Sequence, residues 1–313
     1  MIKIYRTDDR AVRELDSIED GCWIQMIHPT RAEGTRVANE LNIDVDDIMA
    51  ALDEEESSRI ELQQGYTLIL VDIPTVEVRH EKRVYTTIPL GIILLQNQII
   101  TICAEDTPIL HRFAKDRVKD FSTKKKMRFV YQILFYVSSL YQADLRVLDK
   151  KRMAIEERIE GETENMDVID LHELESTLVY FATSLRANGV VLDRLTRYKR
   201  LEQYPEDQEL LDDVIIENKQ AIEMTMIYRD IINSTRELMS TMIDRRLNNV
   251  MKYLTSITIV MAIPTIISGL YGMNVNAAGM PFATSSMGFA IVCLITLLIS
   301  VIVLWILRKK KML

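Results

Sequence analysis

The chain has 313 residues and a formal net charge of −8, and without the four basic residues at positions 308–311 the remainder would carry −12. This acidic body argues against nucleic acid or an anionic membrane surface as a partner and suits contact with cations, although acidic cytosolic proteins are common. The cysteines are scattered and form no C-x-x-C pair, which favours a reducing compartment: Cys22, Cys103 and Cys293.

The first part of the chain alternates strand-like runs with turn signals. Two short helical stretches, Arg31–Leu41 and Val45–Leu52, interrupt the strands, and Asp44 and Asp47 fit an N-cap and a first helical turn better than a metal site. We therefore predict an N-terminal α/β domain over residues 1–123. Its predicted strands are Cys22–Ile27, Tyr66–Ile73, Ile88–Leu95 and Gln98–Cys103.

Beyond Lys124 the pattern changes to long helices, with breaks near Gly161 and Tyr204-Pro205, which predicts a helical region over 124–249. Acidic residues gather around the first break with Arg158 as their basic partner: Glu156, Glu157, Glu160, Glu162, Glu164, Asp167, Asp170, Glu173 and Glu175. A solvated hairpin tip explains them, and a loose cation-collecting surface is the alternative. The alternating ligands of an EF-hand are absent from this segment.

The last helical stretch runs from Glu206 without proline or glycine until Pro264. It predicts one long stalk helix that continues directly into the first of two apolar segments. A lone helix of that length needs neighbours, which a symmetric oligomer supplies around its axis.

Two apolar segments close the chain. Residues 253–270 carry no Asp, Glu, Lys, Arg or His, and residues 287–307 are almost continuously apolar. Each segment with its flanks has about 20 residues, enough to cross a hydrocarbon core of about 30 Å as a helix. A core helix of a soluble protein would normally show a polar face. We predict transmembrane helices at about 250–271 and 287–307, joined by an external loop, 272–286.

Basic residues flank both segments on one side only, and residues 275–286 between them contain none. Because basic flanks remain cytoplasmic, we expect both termini and residues 1–250 on the cytoplasmic side of a multi-pass plasma-membrane protein. The N-terminus lacks the apolar region of a signal peptide. The flanking residues are Arg245, Arg246 and Lys252 before the first segment, and Arg308, Lys309, Lys310 and Lys311 after the second.

One face of the first segment combines small, hydroxyl and apolar side chains at helical spacing. The second segment offers mainly Leu, Ile and Val, so a lipid-facing outer helix and a partner-facing inner helix explain the contrast. Ordinary helix packing and the lining of a pore are both open interpretations of this face, and two segments cannot enclose a pore alone. The face consists of Met251, Leu254, Thr258, Ala262 (or Met261), Thr265 and Ser268.

The tetrapeptide Tyr271-Gly272-Met273-Asn274 ends the first segment, and Met280-Pro281 lies in the link to the second. With the basic tail, these features resemble the CorA family of divalent-cation transporters. Gly-Met-Asn alone is a weak signal, but in this position and topology it is specific. The α/β domain and the stalk are similar to that family as well, so the resemblance covers the whole chain. Phe282 follows Met280-Pro281 where many members carry an acidic residue.

The resemblance implies an α+β fold assembled as a funnel-shaped homopentamer in a lipid bilayer. It implies that the first transmembrane helix lines a pore for passive uptake of Mg2+, without an organic cofactor. Co2+ and Ni2+ are alternative cargoes, and Zn2+ is carried by relatives that share most of the motif.

The tetrapeptide suits a hydrated ion, because Mg2+ gives up its water reluctantly. Asn274 from each subunit can form a ring of amide oxygens that accept hydrogen bonds from those waters. Gly272 allows close approach of backbone carbonyls to the axis, and Tyr271 is expected to brace the mouth from behind. Met273 has no evident role, since a thioether is a poor ligand for a hard cation.

Two further roles are expected along the long helix. Met251 and Leu254 would form apolar rings that gate by dewetting, although packing alone also explains them. The family resemblance implies that intracellular Mg2+ binds between subunits and closes the pore, and Asp213 and Glu237 lie where members place acidic residues. Their alternative role is ordinary surface pairing with Lys219, Arg229 or Arg236.

Other classes of protein receive little support. The histidines are far apart and build no H-E-x-x-H, and neither a G-x-S-x-G nor a Walker loop occurs, so we do not expect an enzyme. A non-conducting, membrane-anchored helical scaffold or sensor would fit the stalk, whereas Asn274 at a membrane boundary and the hydroxyl-bearing first segment argue against it. The four histidines are His28, His80, His111 and His172.

Overall fold

The computed structural model describes residues 1–8, 11–79, 82–160, 165–199, 204–276, 279–283, 285–310 and 312. The strands are β1 (Ile2–Asp8), β2 (Ala11–Leu15), β3 (Trp23–Ile27), β4 (Arg59–Leu62), β5 (Tyr66–Arg79), β6 (Lys82–Leu95) and β7 (Ile99–Cys103). The helices are α1 (Arg31–Leu41), α2 (Val45–Ala50), α3 (Pro108–Ala114), α4 (Lys126–Glu160), α5 (Asn165–Leu195), α6 (Pro205–Tyr271) and α7 (Gly288–Lys309). The predicted α+β fold, with its long helix and final apolar helix, is confirmed.

The strands form one mixed sheet in the order β2-β1-β3-β7-β6-β5-β4. β3 and β7 pair in parallel, with Trp23 opposite Ile99, and the other neighbours pair antiparallel. β5 and β6 are longer than predicted and run through Pro74 and Pro89. Pro74 on β5 lies beyond the end of β4, and Pro89 on β6 lies beyond the end of β7. At its proline, each of these two strands therefore has no neighbouring strand on one side, and the missing N–H is tolerated.

Helices cover both faces of the sheet. α1 and α2 pack on one face against an aliphatic core that includes Ile24, Leu68, Ile93 and Ile102. Gly91 belongs to this contact, because a Cβ added there would lie 2.5 Å from Ala51 Cβ. The predicted N-cap of α2 is confirmed by a hydrogen bond from Asp46 N to Asp44 Oδ1 of 3.0 Å.

The opposite face of the sheet carries an aromatic cluster. The ring of Trp23 lies 5.1 Å from that of Phe129 and 6.5 Å from that of Phe113, between centroids. Its indole N–H donates to Thr101 Oγ1 at 2.8 Å, so the polar end of this buried ring has a partner. The cluster joins α3 and the start of α4 to the centre of the sheet.

The first part of α6 packs on α4 and α5. Arg128 on α4 binds Asp207, which is 2% exposed, with 2.8 Å between Nε and Oδ1. Asn218 Nδ2 donates to the carbonyl of Leu185 on α5 at 3.1 Å. These contacts hold the first part of α6 against α4 and α5.

The strands and the helix that the sequence analysis missed are short or polar. β2 is the edge strand and β1 lies next to it, both carry charged residues, β4 has four residues and α3 has seven. The turn predicted at 161–165 lies outside the described residues except for Asn165, where α5 begins, and α4 ends at Glu160.

The chain divides into two compact units, Met1–Arg236 and Glu237–Leu313. The predicted boundaries after residues 123 and 249 stay a prediction. The second unit contains the later part of α6 and all of α7. The most apolar windows of these helices have mean hydropathies of 1.7 and 3.1, and 6% of each window is buried. Such exposure is unlike the core helix of a soluble protein, so both helices are candidates to span a membrane.

Candidate functional site

The tetrapeptide lies where α6 stops. The helix ends at Tyr271, and Gly272 N still donates to the carbonyl of Ser268 at 2.9 Å. A Cβ on Gly272 would lie 3.3 Å from that carbonyl oxygen, closer than most Cβ contacts allow. Asn274 follows outside the helix and is exposed. The helical hydrogen-bond pattern therefore continues to Gly272, and Asn274 lies beyond it.

Tyr271 ties the end of α6 to the linker that leads to α7. Its hydroxyl donates to the carbonyl of Pro281 at 2.8 Å. The role predicted for Tyr271 at a pore mouth stays a prediction. Met273 is 54% exposed and lines the cavity between α6 and α7.

Two faces of the last turns of α6 differ in exposure. Ser256, Val260, Ile263 and Ile267 are buried or partly buried. The cavity of about 1030 Å3 between α6 and α7 is lined by Val260 and Ile267, and also by Ser268 of the predicted pore face. The predicted pore face is mostly exposed, with Met251, Leu254, Thr258, Thr265 and Ser268 exposed and Ala262 partly buried. At about 100° per residue the two faces lie roughly 180° apart on the helix.

The hydroxyl groups on the exposed face are oriented by their own helix. Thr258 Oγ1 donates to the carbonyl of Leu254 at 2.8 Å, and Thr265 Oγ1 donates to that of Met261 at 3.0 Å. Ser268 Oγ likewise donates to the carbonyl of Thr265 at 3.1 Å. A hydroxyl that has given its proton to the backbone can only accept from outside. This face therefore offers acceptors, which are what the water shell of a cation requires.

Asp213 and Glu237 are exposed acids on α6, in the first and second units respectively. The pairing with basic neighbours considered for them is not seen among the described residues: Arg236 instead binds Glu175 on α5, with 3.1 Å between Nη1 and Oε2.

The described residues contain no group of three or more His, Cys, Asp or Glu side chains arranged to hold a metal ion. At the acidic tip, Arg158 binds Asp167 at 2.8 Å and Asp170 at 3.7 Å, while Glu162 and Glu164 lie outside the described residues. Burial raises the pKa of Asp144, on α4, to about 6.

The comparisons with known proteins place these features in a family. Residues 19–309 match the family model described as CorA-like Mg2+ transporter protein. The chain belongs to the CorA family. The resemblance deduced from the sequence is therefore confirmed.

Relatives of known name extend along the chain. The Cobalt/magnesium transport protein CorA of Methanocaldococcus jannaschii is 29% identical over 92% of this chain and 90% of its own length. The protein of the same name from Thermotoga maritima is 26% identical over 60% of this chain and 54% of its own length. The complete structure of the CorA magnesium transporter from M. jannaschii is similar with a TM-score of 0.85, 26% identity, and coverage of 99% and 98%.

The structure also shows a contact that the sequence analysis missed. Ser256 was one of several hydroxyl residues in the first apolar segment, but its Oγ donates to the carbonyl of Met312 at 2.9 Å. The residues are 56 positions apart, and the acceptor is a backbone group. No side-chain pattern in the sequence could have indicated this pairing.

Proposed function

We propose that this chain is one subunit of a homopentameric pore that carries Mg2+ passively into the cell. The observation that carries the proposal is the exposed face of α6, which presents outward-accepting hydroxyls at Thr258 and Thr265 and leads to Asn274. Several copies are needed to surround a pathway with that face. The relatives are named as cobalt and magnesium transporters, so Co2+ is the nearest alternative cargo, followed by Ni2+ and Zn2+.

In this proposal the cation crosses the mouth with its water shell. The amide oxygens of Asn274 accept hydrogen bonds from the water, and Gly272 permits the tight turn that places them there. The acceptors at Thr265 and Thr258 continue the same interaction along the helix. No step requires a resident cofactor or an enzyme active site.

Uptake by liposomes that contain the purified protein tests the function. We expect Mg2+ to enter down an inward-negative potential, and competition with Co2+, Ni2+ and Zn2+ to rank the cargoes. Uptake no greater than that of empty liposomes would instead favour the membrane-anchored scaffold.

The proposed orientation places both termini in the cytoplasm of the cell. Arg245, Arg246 and Lys252 precede the membrane part of α6, and Arg308 and Lys309 end α7, so the positive charge lies on one side. Reporters fused at Met1 and at Leu313 should therefore both show cytoplasmic activity. An external signal from the Leu313 fusion would contradict the arrangement with two spans.

We propose further that Asp213 and Glu237 take part in closure by intracellular Mg2+. Carboxylates at a contact between subunits repel one another, and a bridging divalent cation relieves that repulsion and favours the closed arrangement. Both side chains are exposed and make no ion pair among the described residues, as such a role requires.

Replacing Asp213 and Glu237 together by alanine should shift inhibition of flux to higher internal Mg2+, because the bridging ligands are lost. Replacing both by lysine should keep the pore closed without Mg2+ if fixed positive charge substitutes for the cation. The measurement is the flux through each variant at a series of internal Mg2+ concentrations. Asp212→Ala, a change of the exposed neighbouring acid, is the matched control. An unchanged dose dependence in the double alanine variant would place the sensor elsewhere.

A further inference from the structure

Ser256 is fully buried on a stretch of helix that is otherwise largely exposed. Its side chain has 0% exposure, whereas its neighbours Thr255 and Ile257 are exposed. A hydroxyl in a helix normally donates to the carbonyl one turn earlier, as Thr258 and Thr265 do on this same helix. Ser256 instead donates to a residue beyond the end of α7.

The acceptor is the carbonyl of Met312, 2.9 Å from Ser256 Oγ. The chain is held in place to reach it, because Met312 N donates to the carbonyl of Leu307 at 3.0 Å and Lys310 N donates to that of Ile306 at 3.0 Å. Leu307 is itself buried, at 7% exposure. The segment after α7 therefore turns back and contacts α6 at Ser256. We call the hydrogen-bonded pair of Ser256 and Met312 the tail clasp.

The tail clasp lies at the level of the proposed gate and on the other side of the helix. Ser256 follows Leu254 by two residues, which at about 100° per residue puts their side chains on nearly opposite faces. A contact on one face of a helix also restrains the position of the residues on the opposite face. A movement of α6 relative to α7 that carries Leu254 away from the pore axis would also move Ser256 relative to Met312.

We propose that Ser256 is a positioning residue of the pore: the tail clasp holds the first membrane turns of α6 where Leu254 closes the pathway. This inference rests on the proposed function for the identity of the gate, but the clasp itself is a contact within one chain. It predicts that opening breaks the hydrogen bond from Ser256 Oγ, and that removing either partner favours the open arrangement.

The size of the effect follows from the value of one hydrogen bond. Losing it should change the ratio of closed to open pores roughly two- to tenfold, since the surroundings of Ser256 exclude water that could replace the acceptor. Basal Mg2+ flux should rise by the same factor while open pores remain a minority.

The flux test compares Ser256→Ala, a chain that ends at Lys311, and the combination of the two. Each single change should raise basal flux, and the combination should raise it no further, because both remove the same hydrogen bond. Ser300→Ala, the same change at a serine on α7 that donates to the carbonyl of Thr296 and not to the tail, should leave flux unchanged. Wild-type flux in an assembled Ser256→Ala oligomer, or effects that add in the double variant, would overturn the proposal.

A labelling experiment tests the tail clasp even if the flux variants do not assemble. Cys293 is replaced by serine, the two remaining native cysteines being buried, and Ser256→Cys is treated with a membrane-permeant maleimide. The thiol at 256 should react slowly in the full-length chain and quickly in the chain that ends at Lys311, whereas Thr255→Cys should react quickly in both. Equal rates at 256 would overturn the clasp. Slow labelling at 256 together with no uptake by the wild type would refute the transport function and leave the clasp standing.

Discussion

Asn274→Ala is expected to reduce Mg2+ uptake to the level of empty liposomes while the oligomer remains assembled. The alanine methyl cannot accept a hydrogen bond, so the hydrated ion loses its partner at the mouth of the pore. Asn274 lies beyond the end of α6 and is exposed in the single chain, so its loss should cost the fold little. Flux into liposomes and the mass of the detergent-solubilised oligomer are the two measurements required.

Two companion variants make the result specific. Asn276→Ala is the same change two residues further into the linker, and it should retain most of the flux. Gly272→Ala should lose much of it, because the added methyl would press on the carbonyl of Ser268 at 3.3 Å and disturb the turn that carries Asn274. Wild-type flux through Asn274→Ala would end the assignment of Asn274 as the filter.

The helical part of the fold could be predicted because the sequence of α6 contains few competing signals. No proline or glycine occurs between Glu206 and Pro264, and apolar residues recur at helical spacing, so α6 was expected as one helix and is one. The apolar segment 287–307 allowed α7 to be predicted for the same reason. Pro264 does not end α6, which continues to Tyr271.

The sheet was harder to predict, because strand pairing depends on contacts between distant residues. β2 is an edge strand and β1 lies next to it, and both carry charged residues, so contacts with their partner strands decide whether they form. The extension of β5 past Pro74 could not be deduced from β5 alone, since β5 has no β4 partner beyond Leu70, which pairs with Arg59 at the start of β4. For α3 a signal was present, namely Thr107 as N-cap before Pro108 at the first helical position.

For the candidate site, spacing along the helix was informative and tertiary contacts were not accessible. The positions from Met251 to Ser268 were grouped by their helical period, and the structure leaves that face largely exposed, opposite the face that includes Ser256. We propose that this exposed face lines a pore. The absence of an ion pair at Asp213 and the contact of Ser256 with Met312 depend on where the chain folds, which local periodicity does not specify.

The same exposed face makes Leu254 the sharpest test of gating. Leu254→Asn should raise basal Mg2+ flux by about tenfold or more, because a ring of amides can hydrate a constriction that leucine side chains keep dry. An apolar ring offers a divalent ion no ligand that could replace its water shell. A narrow, dry segment is therefore a barrier to the ion even though the segment carries no charge. Met251, one turn earlier on this face and 53% exposed, would form a second such ring.

The control for Leu254→Asn is Leu298→Asn on α7, a leucine of similar exposure, at 54% against 59%. A polar residue there should lower the stability of the oligomer without opening a pathway, which separates gating from general damage to the membrane part. Flux is measured with internal Mg2+ high enough to close the wild type, so that any increase reports failure to close. If Leu254→Asn leaves an intact oligomer with flux at or below that of the wild type, Leu254 packs against its neighbours and the gate lies at another level of α6.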